Sequence, residues 1–217
     1  MLTIQTGLNR SKREATLVNS IKNLSVSYAG RIFLLVPEQS TFLYTHSVCA
    51  ALGNSLSNNR VSVVGFDELF DLVHAECGHR AEMLDEGGRL LALALAADNA
   101  SKAHALKVYS GLSARPEFLE KLLDNYSMLR QSGMDIEQLK DTAKKVSPVL
   151  QNKLNDMAAL YTEYEAICQK SALDPAEHID NITEIIEKTQ WARNSAWFVD
   201  GFSDFPHQQM RLIQLLI

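Results

Sequence analysis

Cysteine is scarce in this chain of 217 residues: Cys49, Cys77 and Cys168 are its only three, and they lie far apart. An odd, scattered set excludes a disulfide framework and points to a reducing compartment, the cytoplasm. Long apolar runs are also missing. None approaches the roughly 20 residues needed to span a bilayer, so no membrane association is expected. The opening Met1–Thr6 has no basic stretch followed by an apolar core, and no secretory signal is expected there. Surplus positive charge is absent too: 21 Lys and Arg against 26 Asp and Glu leave a net charge of −5. That balance supplies no drive for strong DNA binding by the chain alone. Any nucleic-acid role has to be local or shared with a partner.

What is present is ordinary globular material, 46% hydrophobic and 22% charged, enough to bury the core of one or two domains. Three short apolar runs come first: Leu2–Thr6, Arg31–Val36 and Arg60–Val64. Each precedes a helical pattern, about Lys12–Leu24, Thr41–Leu52 and Phe66–Ala75. This alternation predicts βαβ units, a parallel sheet, and functional loops at the C-terminal strand ends. From about Arg80 to Trp191 the spacing of apolar residues is helical only, over Ala81–Ala97, Pro116–Gln131, Asp135–Val146, Pro148–Ser171 and Asp174–Lys188. Strand character returns at Ala196–Asp200. The expected fold is α/β, with a core formed by residues 1–79 and 192–217 and an all-helical insertion at 80–191. The final Leu212, Ile213, Leu215, Leu216 and Ile217 still follow a helical apolar pattern where the chain stops, so a longer protein is expected.

One stretch carries motor-like chemistry. Trp197-Phe198-Val199-Asp200 is an apolar strand delivering an Asp at its end, where nucleotide-driven motors hold Mg²⁺ and follow the Asp with a catalytic Glu. Here Gly201 follows. The bland reading of Asp200 is a strand-end residue capping the next turn. A second stretch, His74-Ala75-Glu76-Cys77-Gly78-His79, gathers potential metal ligands, but no second Cys/His cluster exists downstream. It reads as a helix end, with Gly78 as the stop.

Collinear segments give the chain a resemblance. Phe33-Leu34-Leu35-Val36-Pro37-Glu38-Gln39-Ser40-Thr41-Phe42 resembles the FLVPEQMTF segment of the AddB/RexB subunits of bacterial helicase–nucleases. Val61–Leu72, Lys153-Leu154-Asn155-Asp156-Met157 with Leu160-Tyr161, and Phe198–Gln208 resemble three further segments of that family. The resemblance implies a P-loop-NTPase-like core, that of the first motor domain of superfamily 1 helicases. Family members begin with a phosphate loop of the form G-R-x-G-S-G-K-T. The corresponding stretch here is Gly7-Leu8-Asn9-Arg10-Ser11-Lys12-Arg13-Glu14, which keeps only the first Gly and the Ser. Lys12 replaces the Gly that lets backbone wrap a phosphate, Arg13 the phosphate-binding Lys, and Glu14 the Mg²⁺-holding hydroxyl. With Gly201 this makes a degenerate nucleotide site of Gly7, Ser11, Lys12, Arg13 and Asp200. A residual anion site at the helix start remains open.

The resemblance also implies a DNA-facing groove over the strand ends, in which Gln39, Thr41, Phe66, Phe202 and Phe205 would meet single-stranded DNA. The alternative for Phe66 is a core or staple residue, and Phe202 could simply close its turn. In that family this surface is associated with reading a recombination hotspot sequence in the exiting strand; relatives often carry Arg and Trp where this chain has Glu68 and Asp71, which implies altered or absent hotspot recognition. The implied function is an inactive helicase-like portion of a helicase–nuclease subunit in double-strand break repair, working with an AddA/RexA-type subunit. The nuclease centre, its Mg²⁺ and an iron–sulfur cluster would lie outside these residues, which themselves would carry no enzymatic activity and no cofactor. The competing readings are a weak NTP-binding domain and a protein-interaction scaffold without DNA contact.

Overall fold

A strand buried on both faces has to be apolar at every position, and one segment of the chain meets that demand. Ile32, Phe33, Leu34 and Leu35 are all at most 1% exposed, as expected for the middle strand of a parallel sheet. The structure, a computed structural model, describes residues 3–6, 9–53, 60–78, 82–111 and 115–216. The chain divides into two units: Met1–His79 with Ile182–Phe205 and Met210–Ile217, and Arg80–Asn181 with Pro206–Gln209.

In the first unit, β1 (Arg31–Leu35) lies between β2 (Val61–Val64) and β3 (Ser195–Val199), both parallel to it. Leu35 is level with Val64 on one side and Val199 on the other, so all three strands end at the same edge. On one face Ile32, Leu34 and Val36 pack with Val18 and Ile21 of α1 (Arg10–Ser27) and Tyr44, Val48 and Leu52 of α2 (Thr41–Leu52). Phe33 points to the other face, where its ring stacks on Trp197 at 4.4 Å. The third helix, α3 (Phe66–Cys77), buries Phe66, Leu69, Phe70 and Val73. It stops at Gly78, whose φ of +70° suits a residue without a Cβ.

The expected first strand is not formed. Thr3–Thr6 carry no strand, and Ile4 is 78% exposed. Only Ile4 among these four is apolar, too little to hold the segment against a sheet. Leu2 lies outside the described residues.

The second unit is helical: α4 (Glu86–Lys102), α5 (Pro116–Gln131), α6 (Ile136–Ala143) and α7 (Pro148–Ser171). Their core contains Leu93, Leu123, Leu160 and three tyrosines, Tyr126, Tyr161 and Tyr164. Two buried carboxylates tie it together. Asp156, 1% exposed, accepts backbone N–H groups from Lys107 (3.0 Å), Val108 (2.6 Å) and Tyr109 (2.9 Å). Asp174, fully buried, accepts from Arg89 Nε at 2.9 Å, from the Ala176 N–H at 2.6 Å and from the Tyr164 hydroxyl. Helix α4 starts at Glu86, later than its apolar spacing suggests, because Asp85 accepts the Gly88 N–H at 2.7 Å and caps it there. The stretch after Asp174 opens as a 3₁₀ turn, Pro175–Glu177, before α8 (His178–Thr189). The last helix is α9 (His207–Leu216). Among the described residues no helix is long and apolar enough to cross a membrane.

Candidate functional site

The C-terminal edge of the sheet is built by parallel pairing. The Val36 N–H donates to Val64 O at 3.0 Å and the Asp200 N–H to Leu35 O at 3.1 Å, so three turns leave the sheet side by side. After β1 the chain passes through Pro37 and a 3₁₀ turn, Glu38–Ser40, into α2. The Ser40 N–H donates to Pro37 O at 2.8 Å, and the Thr41 hydroxyl to Glu38 O at 3.0 Å. The Glu38 carboxylate reaches across to the next turn and accepts the Asp67 N–H at 3.0 Å. It lies against Gly65, where any Cβ would overlap it. Glu68 turns back to accept the Gly65 N–H at 3.2 Å. Two carboxylates therefore stand at the N-terminal end of α3, the end whose free N–H groups favour negative charge.

Asp200 is engaged within the fold. The hydroxyl of Tyr44, 1% exposed, donates to its Oδ2 at 2.7 Å. Gly201 has φ of +85°, and a Cβ there would lie 3.1 Å from Pro37 Cδ. Phe202 and Phe205 are half-buried and in contact, with ring centroids 4.8 Å apart. Phe66 packs on Phe202 at 5.6 Å and is only 6% exposed. Its ring is core, the alternative left open by its place at a helix start. Gln39 is exposed and Thr41 half-buried. Phe42, one residue on, is 85% exposed. The fold thus brings Gln39, Thr41, Phe66, Asp200, Phe202 and Phe205 to one edge.

The residues that stand where the family has its phosphate loop lie at a helix start. Gly7 lies outside the described residues. Ser11, Lys12 and Arg13 are exposed residues in the first turn of α1. The reason is Asn9, a strong helix cap: its Oδ1 accepts the Lys12 N–H and its O the Arg13 N–H, both at 3.1 Å. Glu14 accepts the Ser47 hydroxyl at 2.9 Å. Ser11 and Glu14 line an open groove of about 610 Å³ against His46 and Ser47 of α2, and Asp200 is not part of that lining.

At the opposite end of the strands, Arg31 pairs with Glu76 at 2.5 Å and lies over the rings of Phe33 and Trp191. Trp191 Nε1 also donates to Glu76, at 2.8 Å. Burial works to raise the Glu76 pKa, but these hydrogen bonds and the Arg31 charge outweigh it and hold the carboxyl below its ordinary value. Glu76, a member of the His/Cys-rich stretch, is thus held by Arg31 and Trp191. His74 packs on Phe70 at 4.2 Å, Gly78 ends the helix, and His79 lies outside the described residues.

Four participants were given no role in the site by sequence reading: Glu38, Phe42 and Gly65, which lie within the segments that carry the resemblance, and Tyr44, which does not. The Glu38 and Tyr44 bonds span 29 and 156 residues, and no local pattern announces them. The legible signal was Gly65, a residue without a side chain before an acidic helix start.

The fold defines a mainly helical α/β protein whose small parallel sheet gathers polar and aromatic residues at one edge. The family model described as ADDB, N-terminal matches residues 5–217, and the chain belongs to that family. It is similar to proteins named as ATP-dependent helicase/deoxyribonuclease subunits of the B type. The one from Caldanaerobacter subterraneus subsp. tengcongensis is 27% identical over 189 residues, 86% of this chain and 16% of that protein. That from Alkaliphilus oremlandii is 28% identical over 214 residues, 95% of this chain and 18% of the relative. The chain therefore spans less than a fifth of the length of these relatives.

Proposed function

We propose that this chain is a helicase-like portion of a bacterial helicase–nuclease subunit that guides single-stranded DNA without hydrolysing ATP. The observation that carries this reading is the make-up of the strand-end edge. Asp200 is hydrogen-bonded to Tyr44, and Gly201 sits at a positive φ that a catalytic Glu would be strained to adopt. Beside them Gln39 and Phe42 face solvent. An amide can bond base edges and an exposed ring can stack on a base whatever its identity. Phe66 serves as support for Phe202, and the DNA contacts fall to Gln39, Thr41, Phe42, Phe202 and Phe205.

In the whole subunit this portion works in the cytoplasm in double-strand break repair and recombination, and residues 80–191 form a helical insertion in the motor-like core. An AddA/RexA-type subunit supplies the ATPase. The nuclease centre, with its Mg²⁺ and an iron–sulfur cluster, is carried by other parts of the protein. The family membership and the word subunit in the relatives' names support a partnered role. The test is fluorescence anisotropy of a labelled single-stranded oligonucleotide on the assembled two-subunit complex. Phe42→Ala is expected to weaken binding by about tenfold, the loss of one base stack, and Gln39→Ala by less. Unchanged affinity in both would overturn the DNA-guiding reading in favour of a protein-interaction scaffold.

A further inference from the structure

We propose that Glu38 is a positioning residue for the strand-end surface, holding Gln39 and Phe42 in place by bridging to α3; this inference rests on the DNA-guiding reading above. Glu38 opens the 3₁₀ turn that presents Gln39, and its carbonyl accepts the Thr41 hydroxyl at 3.0 Å. Its side chain leaves that turn and accepts the Asp67 N–H at 3.0 Å, joining the loop after β1 to the helix after β2. The place it occupies exists because residue 65 is glycine, since any Cβ there would overlap the carboxylate. Glu38 is thus one member of a fitted pair.

The charge of Glu38 makes the inference testable by sign. An acidic side chain beside a DNA path repels phosphate, so its simple removal should strengthen binding. Positioning demands the opposite. Without the bridge, the turn carrying Gln39 and the start of α2 carrying Phe42 lose their hydrogen bond to α3, and a less firmly anchored ring loses part of its stacking geometry.

The experiment uses the full-length subunit in its two-subunit complex, with a labelled single-stranded oligonucleotide and affinity measured across a salt series. Glu38→Ala is expected to weaken binding by about tenfold, comparable to loss of the Phe42 stack, although it deletes a negative charge. Glu38→Gln keeps an oxygen that can accept the Asp67 N–H, and is expected to stay within about twofold of the parent. Gly65→Ala should reproduce Glu38→Ala, and the double variant should be no weaker than either single one, because both break one bridge. Melting curves of each complex confirm that it is folded, and Gly65→Ala, which breaks the same bridge, carries the comparison with Glu38→Gln should Glu38→Ala fail to assemble. Tighter or unchanged binding in Glu38→Ala, with Phe42→Ala still weakened, overturns the positioning role and leaves the DNA surface standing. A Glu38→Gln variant as weak as Glu38→Ala also overturns it. Unchanged binding in Phe42→Ala and Gln39→Ala removes the DNA surface, and the positioning role with it.

Discussion

Gly201 decides what the end of β3 can do. Its φ of +85° lies where a side chain costs about 1–2 kcal/mol, and Pro37 stands 3.1 Å from where a Cβ would be. Gly201→Ala is therefore expected to lower unfolding stability by about 2 kcal/mol, and Gly201→Glu by at least as much. Denaturant midpoints measure this, and a variant as stable as the parent would mean that the turn relaxes freely. At this scale the sequence was informative about identity and poor in partners. The missing side chain at 201 was visible directly, whereas the Tyr44 hydroxyl that engages Asp200 comes from 156 residues away. Lys12 and Arg13 show the converse. The family pattern has a phosphate loop at their position, whereas here the Asn9 cap starts a helix at Arg10, two residues before the apolar spacing does.

Among the elements, the helices read well where an opening proline and apolar spacing agree: Pro116–Gln131 and Pro148–Ser171 begin and end where the sequence places them. The strand at the start of the chain read badly, because a run of alternating Thr and Gln around Ile4 has strand-like pattern without enough apolar surface to dock. Helix α7 owes a further task to Asp156. Three backbone N–H groups of the segment after α4 converge on this one buried carboxylate. Asp156→Ala leaves them without their acceptor in the interior, and the expected loss is about 3 kcal/mol or more. Urea unfolding followed by helical circular dichroism reads this. A loss under about 1 kcal/mol would show that the segment is held by other contacts. The K-L-N-D segment that carries part of the family resemblance thus has a structural reason for its Asp.

For the molecule as a whole, the parallel sheet was legible because βαβ spacing and apolar runs speak together. The order β2-β1-β3 was not legible: it depends on which strands meet, and three runs of similar length allow several arrangements. One outcome of that order concerns handling of the isolated chain. Among the described residues β3 is paired on one side only, and Ser195–Val199 contains no Lys, no Pro and no other charge to guard its outer edge. With that edge open among the described residues, each copy is expected to offer the same strand to its neighbours. The chain is expected to self-associate as its concentration rises, and light scattering on a dilution series measures this. Because N–H groups alternate along a parallel strand and that of Asp200 faces β1, the Val199 N–H faces outward. Val199→Pro removes that donor and should reduce association; scattering that persists unchanged would place the sticky surface elsewhere. Solubility of the isolated chain is therefore expected to depend less on its net charge than on five uncharged residues at one edge of the described sheet.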